Sequence, residues 1–435
     1  MTKAPATQNE LVCDARVNEW GLHFIWAGVV IGVLIIPLFY VPGAIDAFRG
    51  PKEVLLIGQA LVIAALVLGW PWRGLRLVRV PKVLLFVSAA VIWSAVASIF
   101  STHRELSSAS LARVAALALI FTATYWIASR KGLFAVAAVV LPGLINTLQY
   151  VASSWRRGTL FTIATQISDR PAAFLGNPND IGAFLVLPAL ACAAATGLRQ
   201  RTGIERMVWA ICGVVLSAGV VATQTLLPLA ALGVGVATMV ALRWRRRAVA
   251  VFVILAVLIG VLIFTYEPLY TRLRLAVEAV KSGSLDSALS GRLLAFYAAM
   301  YMFGDRPLVG VGPGCFGLQY SEAKLRVVQD HPELLSSTAY GINFSEAHND
   351  HLQMLAVAGL PGYALMLTAL FIVGRISFRR EDRSVTEQRR SFARMFALPL
   401  VTSFLVLAGA GFPLEIAATT LSTVFLSAVV VRWAE

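Results

Sequence analysis

Long apolar runs separated by shorter polar stretches set the pattern of this chain. A helix needs about 20 mostly apolar residues to cross a bilayer, and runs near that length recur along the sequence. The first run follows a polar N-terminus without a small-residue cleavage site, so we interpret it as a retained span. The pattern predicts an all-α polytopic membrane protein with about twelve transmembrane helices, at residues 23–40, 52–70, 83–100, 107–128, 132–151, 180–197, 207–221, 225–242, 248–266, 351–374, 394–410 and 414–432.

Two polar stretches are longer than a connection between neighbouring spans requires. They cover residues 152–179 and 267–350. The longer one divides the chain into three parts. Residues 1–266 hold the first nine spans, residues 267–350 form a large loop, and residues 351–435 hold the last three spans.

Helical signals recur inside the large loop. Residues 270–281 place apolar side chains on one face and charged ones elsewhere, as in a helix that lies at a membrane surface. Ser290 is a candidate N-cap for a helix that ends at Gly304. The stretch VGVGPGCFG, residues 309–317, is too rich in glycine for a helix. The loop is therefore expected to be mostly helical, with an irregular segment in its middle.

Composition and charge support membrane insertion and suggest an orientation. Hydrophobic residues make up 58% of the chain, charged residues make up 14%, and mean hydropathy is +0.76. The net charge of +14 is spread over several loops, so it does not indicate a nucleic-acid partner, which needs one basic surface. Basic residues mark cytoplasmic loops. They are dense in alternate loops, at residues 73–82, 130–131, 199–206, 243–247 and 375–394. This alternation predicts that both termini are cytoplasmic and that both long loops lie on the outer side.

Candidate chemistry is concentrated in SEAHNDHLQMLAVAGLPG, residues 345–362, at the outer end of the tenth span. An asparagine or aspartate before an apolar run is ordinary helix capping, and we favour that interpretation for Asn349 and Asp350 taken alone. A neutral imidazole beside carboxylates suits a general base, so His348 is the candidate catalytic residue. The spacing of these residues does not match a zinc motif, and no metal is expected.

Arginines on the predicted outer side indicate an anionic ligand. Guanidinium groups bind phosphate oxygens with two parallel hydrogen bonds. Arg292 opens the helix that leads into the glycine-rich segment, and Arg170 precedes a turn at Asn177. Arg156 is as well explained by solvent or lipid headgroups as by function. Because the sequence contains no nucleotide-binding glycine loop, a preformed diphosphate is the expected ligand.

Three segments resemble the signatures of the O-antigen ligase and polymerase superfamily. They are FLGNPNDIGAFLVLPAL at 174–190, GRLLAFYAAMYMFGDRPLVGVGPGCFG at 291–317 and AHNDHLQMLAVAGLPG at 347–362. These enzymes lie in the bacterial inner membrane and move glycan from an undecaprenyl-diphosphate carrier to an acceptor hydroxyl. The resemblance implies a metal-independent, nucleotide-independent transferase without a cofactor. Its partners would be an undecaprenyl-diphosphate-linked glycan as donor, lipid A–core oligosaccharide as acceptor, and membrane lipid.

The resemblance also implies roles for single residues. His348 would deprotonate the acceptor hydroxyl, and attack opposite the leaving group would invert the anomeric centre. Arg292 would compensate the charge of the diphosphate, with Asn177, Asn349 and Arg156 as further substrate contacts. Asn349 and Asp350 would also cap the tenth span and orient the imidazole. Family members often carry an arginine after the seventh span, where this chain reads TQTLLPLA at 223–230. Arg170 is the candidate replacement for that arginine.

Two alternatives to a ligase stay open at this point. A polymerase would use the same donor but extend another lipid-linked repeat. Polymerases commonly have two large outer loops with an arginine and a glycine eleven positions apart; here Arg306 and Gly317 have that spacing only inside a signature segment. A transporter would place polar residues at mid-depth in several spans. Arg113 and Gln149 are thin support for that function.

Overall fold

The computed structural model describes residues 19–69, 81–128, 132–155, 173–198, 201–244, 253, 257, 260–336, 340–379 and 387–435. Across these ranges the regular secondary structure is helical, without a strand. The helices are α1 (Glu19–Ile35), α2 (Gly50–Gly69), α3 (Lys82–Ile99), α4 (Arg104–Ala128), α5 (Phe134–Trp155), α6 (Pro178–Thr196), α7 (Gly203–Ala222), α8 (Leu226–Arg243), α9 (Glu267–Lys281), α10 (Leu285–Ala288), α11 (Leu293–Asp305), α12 (Phe316–Asp330), α13 (Asp350–Gly374), α14 (Glu387–Ala410) and α15 (Ala417–Ala434).

Eleven helices in the described part of the chain are long and apolar enough to cross a membrane. They correspond to eleven of the twelve predicted spans, so the prediction of an all-α polytopic membrane protein is confirmed. The predicted span at 248–266 lies mainly outside the described residues. Observed and predicted ends differ by a few residues; the span that begins at Asp350, for example, continues to Phe378.

Helices α6 and α15 form the centre of the bundle, and about four fifths of each span is buried. Helix α6 packs against α5, α7, α8, α14 and α15, and α15 also packs against α4. The sequence of α6 is rich in alanine, and these small side chains let neighbouring helices approach closely. Close packing matters in a membrane because the hydrophobic effect does not drive helices together in lipid. This central position also fixes the N-terminus of α6, which carries Asn177 and Asp180.

The segment 267–350 contains four helices, α9 to α12, in agreement with the expectation of a mostly helical loop. Its predicted N-cap is wrong: Ser290 lies in a turn with φ +57°, and Arg292 occupies the N-cap position of α11 without a side-chain cap. Helix α12 begins at Phe316, inside the glycine-rich stretch. The predicted cap lies two residues before the observed one because sequence alone does not show where the backbone leaves the turn.

The glycine-rich stretch packs against a break in α13. Gly359 has φ +67°, and a Cβ there would lie 2.0 Å from the carbonyl oxygen of Leu308. The backbone N–H of Val311 donates to the carbonyl of Ala356 (2.9 Å), and the N–H of Leu360 donates to the carbonyl of Pro307 (2.8 Å). Two signature segments are therefore joined by backbone hydrogen bonds, and the glycine at the break is needed because no side chain fits between them.

Candidate active site

A cavity of about 120 Å³ lies where α6, α11 and the N-terminus of α13 meet the α14–α15 connection. It is large enough for a few water molecules, at roughly 30 Å³ each, or for part of a phosphate group. Three of the predicted site residues, His348, Arg292 and Asn177, line it together. Its other lining residues are Asn179, Asp180, Ala183, Leu227, Pro228, Leu407, Ala410, Gly411, Phe412, Pro413 and Ile416.

The neighbours of His348 favour one tautomer of its imidazole ring. Its Nδ1 lies 3.0 Å from the backbone carbonyl oxygen of Glu346. A carbonyl can only accept, so Nδ1 carries the proton and Nε2 is left as the basic nitrogen. The ring lies edge to face with Phe344 and Phe412, at centroid distances of 4.9 and 4.7 Å. His348 also has φ +55°, a left-handed conformation that is uncommon outside glycine and costs of order 1 kcal/mol or more.

The electrostatic environment keeps His348 neutral. Burial, with smaller contributions from the positive charges of Arg292 and Arg49, lowers its pKa to about 4, although the hydrogen bond to Glu346 acts in the opposite direction. A neutral histidine can accept a proton from a hydroxyl group. An anion bound in the cavity beside Arg292 would offset the positive charge there and raise the pKa of His348 toward the range of an effective base.

Arg292 is half-buried, and no carboxylate among the described residues pairs with it. Its Nη1 donates to the backbone carbonyl of Ala410 at 2.8 Å. Burial lowers the pKa of the guanidinium, because removal from water disfavours the charged form. A partly desolvated guanidinium without a counter-ion, facing a cavity, is suited to bind an anion.

Asn177 and Asn349 are both helix caps. The side chain of Asn177 accepts from the N–H of Asn179 (2.9 Å), and that of Asn349 accepts from the N–H of Leu352 (3.1 Å). Asn349 also donates to the carbonyl of Gly409 (2.9 Å). The capping role expected for Asn349 is therefore present, but its described hydrogen bonds do not reach the imidazole.

Asp350 was also expected to orient the imidazole, and it makes a different contact. Its Oδ2 accepts from the backbone N–H of Leu414 at 2.8 Å, which fixes the α14–α15 connection. The group that orients His348 is the backbone carbonyl of Glu346. A backbone acceptor has no signature in the sequence, which is why side chains were favoured instead. Arg156 and Arg170 lie outside the described residues.

Sequence reasoning missed Arg49, which lies just before α2. Its Nη1 is 3.0 Å from Glu346 and its Nη2 is 3.5 Å from Asp180, and its guanidinium lies 4.8 Å from the centre of the Phe412 ring. Burial alone would lower the pKa of Arg49, but the charges of both carboxylates outweigh this and raise it. The sequence did offer one signal for Arg49. It is a basic residue in a loop that is predicted to lie on the outer side, where basic residues are few.

A second ion-pair network lies beside the first. Arg113 on α4 pairs with Glu53 (3.1 Å) and Glu415 (2.7 Å), and Gln353 donates to the other carboxylate oxygen of Glu415 (2.8 Å). The Oε1 of Gln353 in turn accepts from the backbone N–H of Ala347 (2.7 Å). Arg113 was one of the two residues that gave weak support for a transporter. In the structure it stabilises the segment next to His348 through these contacts.

His351 is separated from this arrangement. Its Nδ1 lies 3.3 Å from the hydroxyl of Tyr363, and the two rings meet edge to face on the same helix, α13. His351 does not line the cavity. The two histidines of the motif thus have different surroundings. Of the two, only His348 lines the cavity together with the half-buried Arg292.

Comparison with known proteins adds one match. Residues 211–367 match the model of a protein family described as O-antigen ligase, a family that covers both ligases and polymerases acting on lipid-linked glycans. No curated protein matches the chain. The matched region contains Arg292, the glycine-rich stretch, His348 and the broken helix, as the resemblance of the signature segments predicted. Over these residues the chain is similar to the O-antigen ligase family of membrane glycan transferases.

Proposed function

We propose that this protein is an O-antigen ligase that transfers glycan from undecaprenyl diphosphate to a sugar hydroxyl of lipid A–core. The observation that carries the proposal is the pairing, in one cavity, of a neutral histidine with a half-buried arginine that has no carboxylate partner among the described residues. The histidine supplies a base and the arginine supplies a cation for a diphosphate. The similarity of residues 211–367 to the O-antigen ligase family supports lipid-linked glycan as the substrate class.

The reaction is a single displacement at the anomeric carbon. Nε2 of His348 takes the proton of the acceptor hydroxyl as its oxygen forms a bond to the anomeric carbon. The bond from that carbon to the diphosphate oxygen breaks, and undecaprenyl diphosphate leaves with the bonding electrons. Arg292 compensates the negative charge that grows on the leaving oxygen. Because attack is opposite the leaving group, the anomeric configuration is inverted.

The N-terminus of α6 supports anion binding on the facing side of the cavity. Helix N-termini favour negative charge, since their first backbone N–H groups lack partners within the helix. Asn177 and Asn179 line the cavity at this end of α6. Under this proposal they contact the donor, and Arg170 and Arg156 remain candidates for further contacts.

The proposed setting is the periplasmic face of the bacterial inner membrane, with both termini in the cytoplasm. Residues 267–350 would then be the outer loop between the membrane parts 1–266 and 351–435. The polyprenyl tail is confined to the bilayer, so its diphosphate must be met at the end of a span. His348 lies two residues before the start of α13, a candidate span, and has this location.

Deletion of the gene, followed by gel analysis of lipopolysaccharide, tests the proposal. A ligase mutant has unsubstituted core and accumulates glycan on the lipid carrier, and complementation with His348→Asn fails to restore long chains. Asparagine is preferred to alanine because it tolerates the left-handed backbone of this position. Core that carries a single repeat in the deletion strain would contradict the ligase assignment and identify a polymerase. A normal lipopolysaccharide pattern would exclude both.

A further inference from the structure

The peptide unit between Glu346 and Ala347 connects two ion-pair networks to the histidine of the site. Its carbonyl oxygen accepts from Nδ1 of His348 at 3.0 Å, and its N–H donates to Oε1 of Gln353 at 2.7 Å. A peptide unit is planar. Restraint at the N–H therefore also sets the direction in which the carbonyl points.

Arg49 restrains this peptide from one side. It holds the side chain of Glu346 at 3.0 Å, and the other carboxylate oxygen of Glu346 accepts from Ser345 at 2.6 Å. Arg49 is itself tied to Asp180 on α6, whose side chain is only 4% exposed. The carboxylate of Glu346 is thus fixed between the loop before α2 and the core of the bundle.

Arg113 restrains the same peptide from the other side, through a chain of contacts. It pairs with Glu415, Glu415 accepts from Gln353, and Gln353 accepts from the peptide N–H. Arg113 is held in place by a second carboxylate, Glu53 on α2. Both arginines precede residues 211–367, the region that matches the family domain.

We propose that Arg49 and Arg113 are positioning residues that set the tautomer of His348 by bracing the peptide between Glu346 and Ala347. With the carbonyl fixed beside Nδ1, the proton stays on Nδ1 and Nε2 stays basic. When either brace is lost, the peptide can rotate, and the tautomer with the proton on Nε2, which cannot act as a base at that atom, becomes populated. The catalytic consequence of this inference rests on the proposed function, whereas the tautomer itself does not.

The test is ¹⁵N NMR of the imidazole nitrogens in the full-length protein in lipid bilayers at neutral pH. Chain-wide histidine labelling is simple because there are five histidines, and the spectrum of His348→Asn assigns the signals of His348 by subtraction. Arg49→Gln breaks one brace and Gln353→Leu breaks the other. Arg326→Gln, which breaks the exposed ion pair of Arg326 with Asp305, is the matched control.

We expect the wild type and Arg326→Gln to carry the proton on Nδ1, and Arg49→Gln and Gln353→Leu to show a signal from protonated Nε2. In transfer assays the last two should lose about 10- to 100-fold in kcat, the cost of a misplaced catalytic group. Their KM for the lipid-linked donor should change by less than about twofold, because neither residue lines the cavity. A KM that rises with kcat unchanged would contradict positioning and indicate direct donor binding.

A proton that stays on Nδ1 in both variants would overturn the inference. Two variants are used so that, if one misfolds, the tautomer measured in the other still tests the inference. Size-exclusion chromatography in detergent reports whether each variant is folded. A changed tautomer with undiminished transfer would uphold the bracing and instead remove His348 as the base. The failure of this inference and the failure of the proposed function are therefore distinguishable.

Discussion

The pH dependence of transfer follows directly from the surroundings of His348. Burial and the charges of Arg292 and Arg49 lower its pKa to about 4, whereas an ordinary histidine titrates near 6.5. Two carboxylates of the site region, Glu346 and Asp180, are both paired with Arg49. The base must be neutral to act, so activity is present above this pKa and is lost as the pH falls through it.

The lowered pKa makes a large difference at mildly acidic pH. At pH 5 a histidine with a pKa of about 4 is roughly 90% neutral, whereas one with the ordinary value is about 3% neutral. Between pH 7.5 and pH 5, kcat/KM should therefore fall by less than about twofold if His348 is shielded as described. It should fall about 30-fold if the histidine titrates normally.

The assay uses purified protein in proteoliposomes with a lipid-linked glycan donor and lipid A–core acceptor, from pH 4 to pH 8. The quantity kcat/KM reports the pKa of the free enzyme. Both phosphates of a diphosphate diester are strong acids, so the donor stays ionised in this range. The profile of kcat should have its inflection at higher pH than that of kcat/KM, because the bound anion offsets the arginine charges and raises the pKa of His348.

An inflection of kcat/KM near pH 6.5 would refute this reasoning, since it would mean that His348 is solvated in the free enzyme. Arg292→Gln provides an internal check. Removal of its positive charge should move the inflection of the remaining activity to higher pH. A variant with an unchanged inflection would show that Arg292 and His348 do not share one electrostatic environment.

Three further predictions concern single substitutions. His348→Asn should lower kcat by about 10²- to 10⁴-fold, the usual contribution of a general base, whereas His351→Asn should retain near-normal transfer. The reverse result would assign the role of base to His351. Arg292→Lys should recover only part of the activity that Arg292→Ala loses, because an ammonium cannot make two parallel hydrogen bonds to a phosphate, and full recovery would argue against such contact. Gly359→Ala should lower the thermal unfolding temperature in detergent, since left-handed strain alone costs about 1–3 kcal/mol and its Cβ would lie 2.0 Å from a backbone oxygen. Gly58→Ala, where no atom lies within 4 Å of the added Cβ, is its control and should unfold at or above the wild-type temperature.

The spans could be predicted from the sequence because each is a local property. A run of apolar residues of sufficient length identifies a helix wherever it packs. The same locality explains the errors. The predicted cap at Ser290 and the start of α12 at Phe316, inside the stretch predicted to be irregular, both lie close to glycines with positive φ, where neighbouring contacts decide where a helix begins.

The site could be predicted in part. His348 and Arg292 stood out because charged and titratable residues are costly near hydrocarbon, so their presence at a span end indicates function. Arg49 and Glu346 did not stand out, since their importance comes from contact between residues 297 positions apart in the chain. Asp350 was assigned to the imidazole on adjacency alone, whereas its carboxylate contacts Leu414.

The sequence by itself determined the class of protein, most of its spans, and the residue types that we propose as base and cation. Hydropathy and residue chemistry are carried by each segment independently, so no packing is required to recognise them. Only the tertiary structure decided which nitrogen of His348 is basic, which arginines are connected to the segment beside it, and why Gly359 interrupts α13. These features depend on hydrogen bonds between segments far apart in the chain. The direction of a backbone carbonyl becomes fixed only when the helices around it are packed.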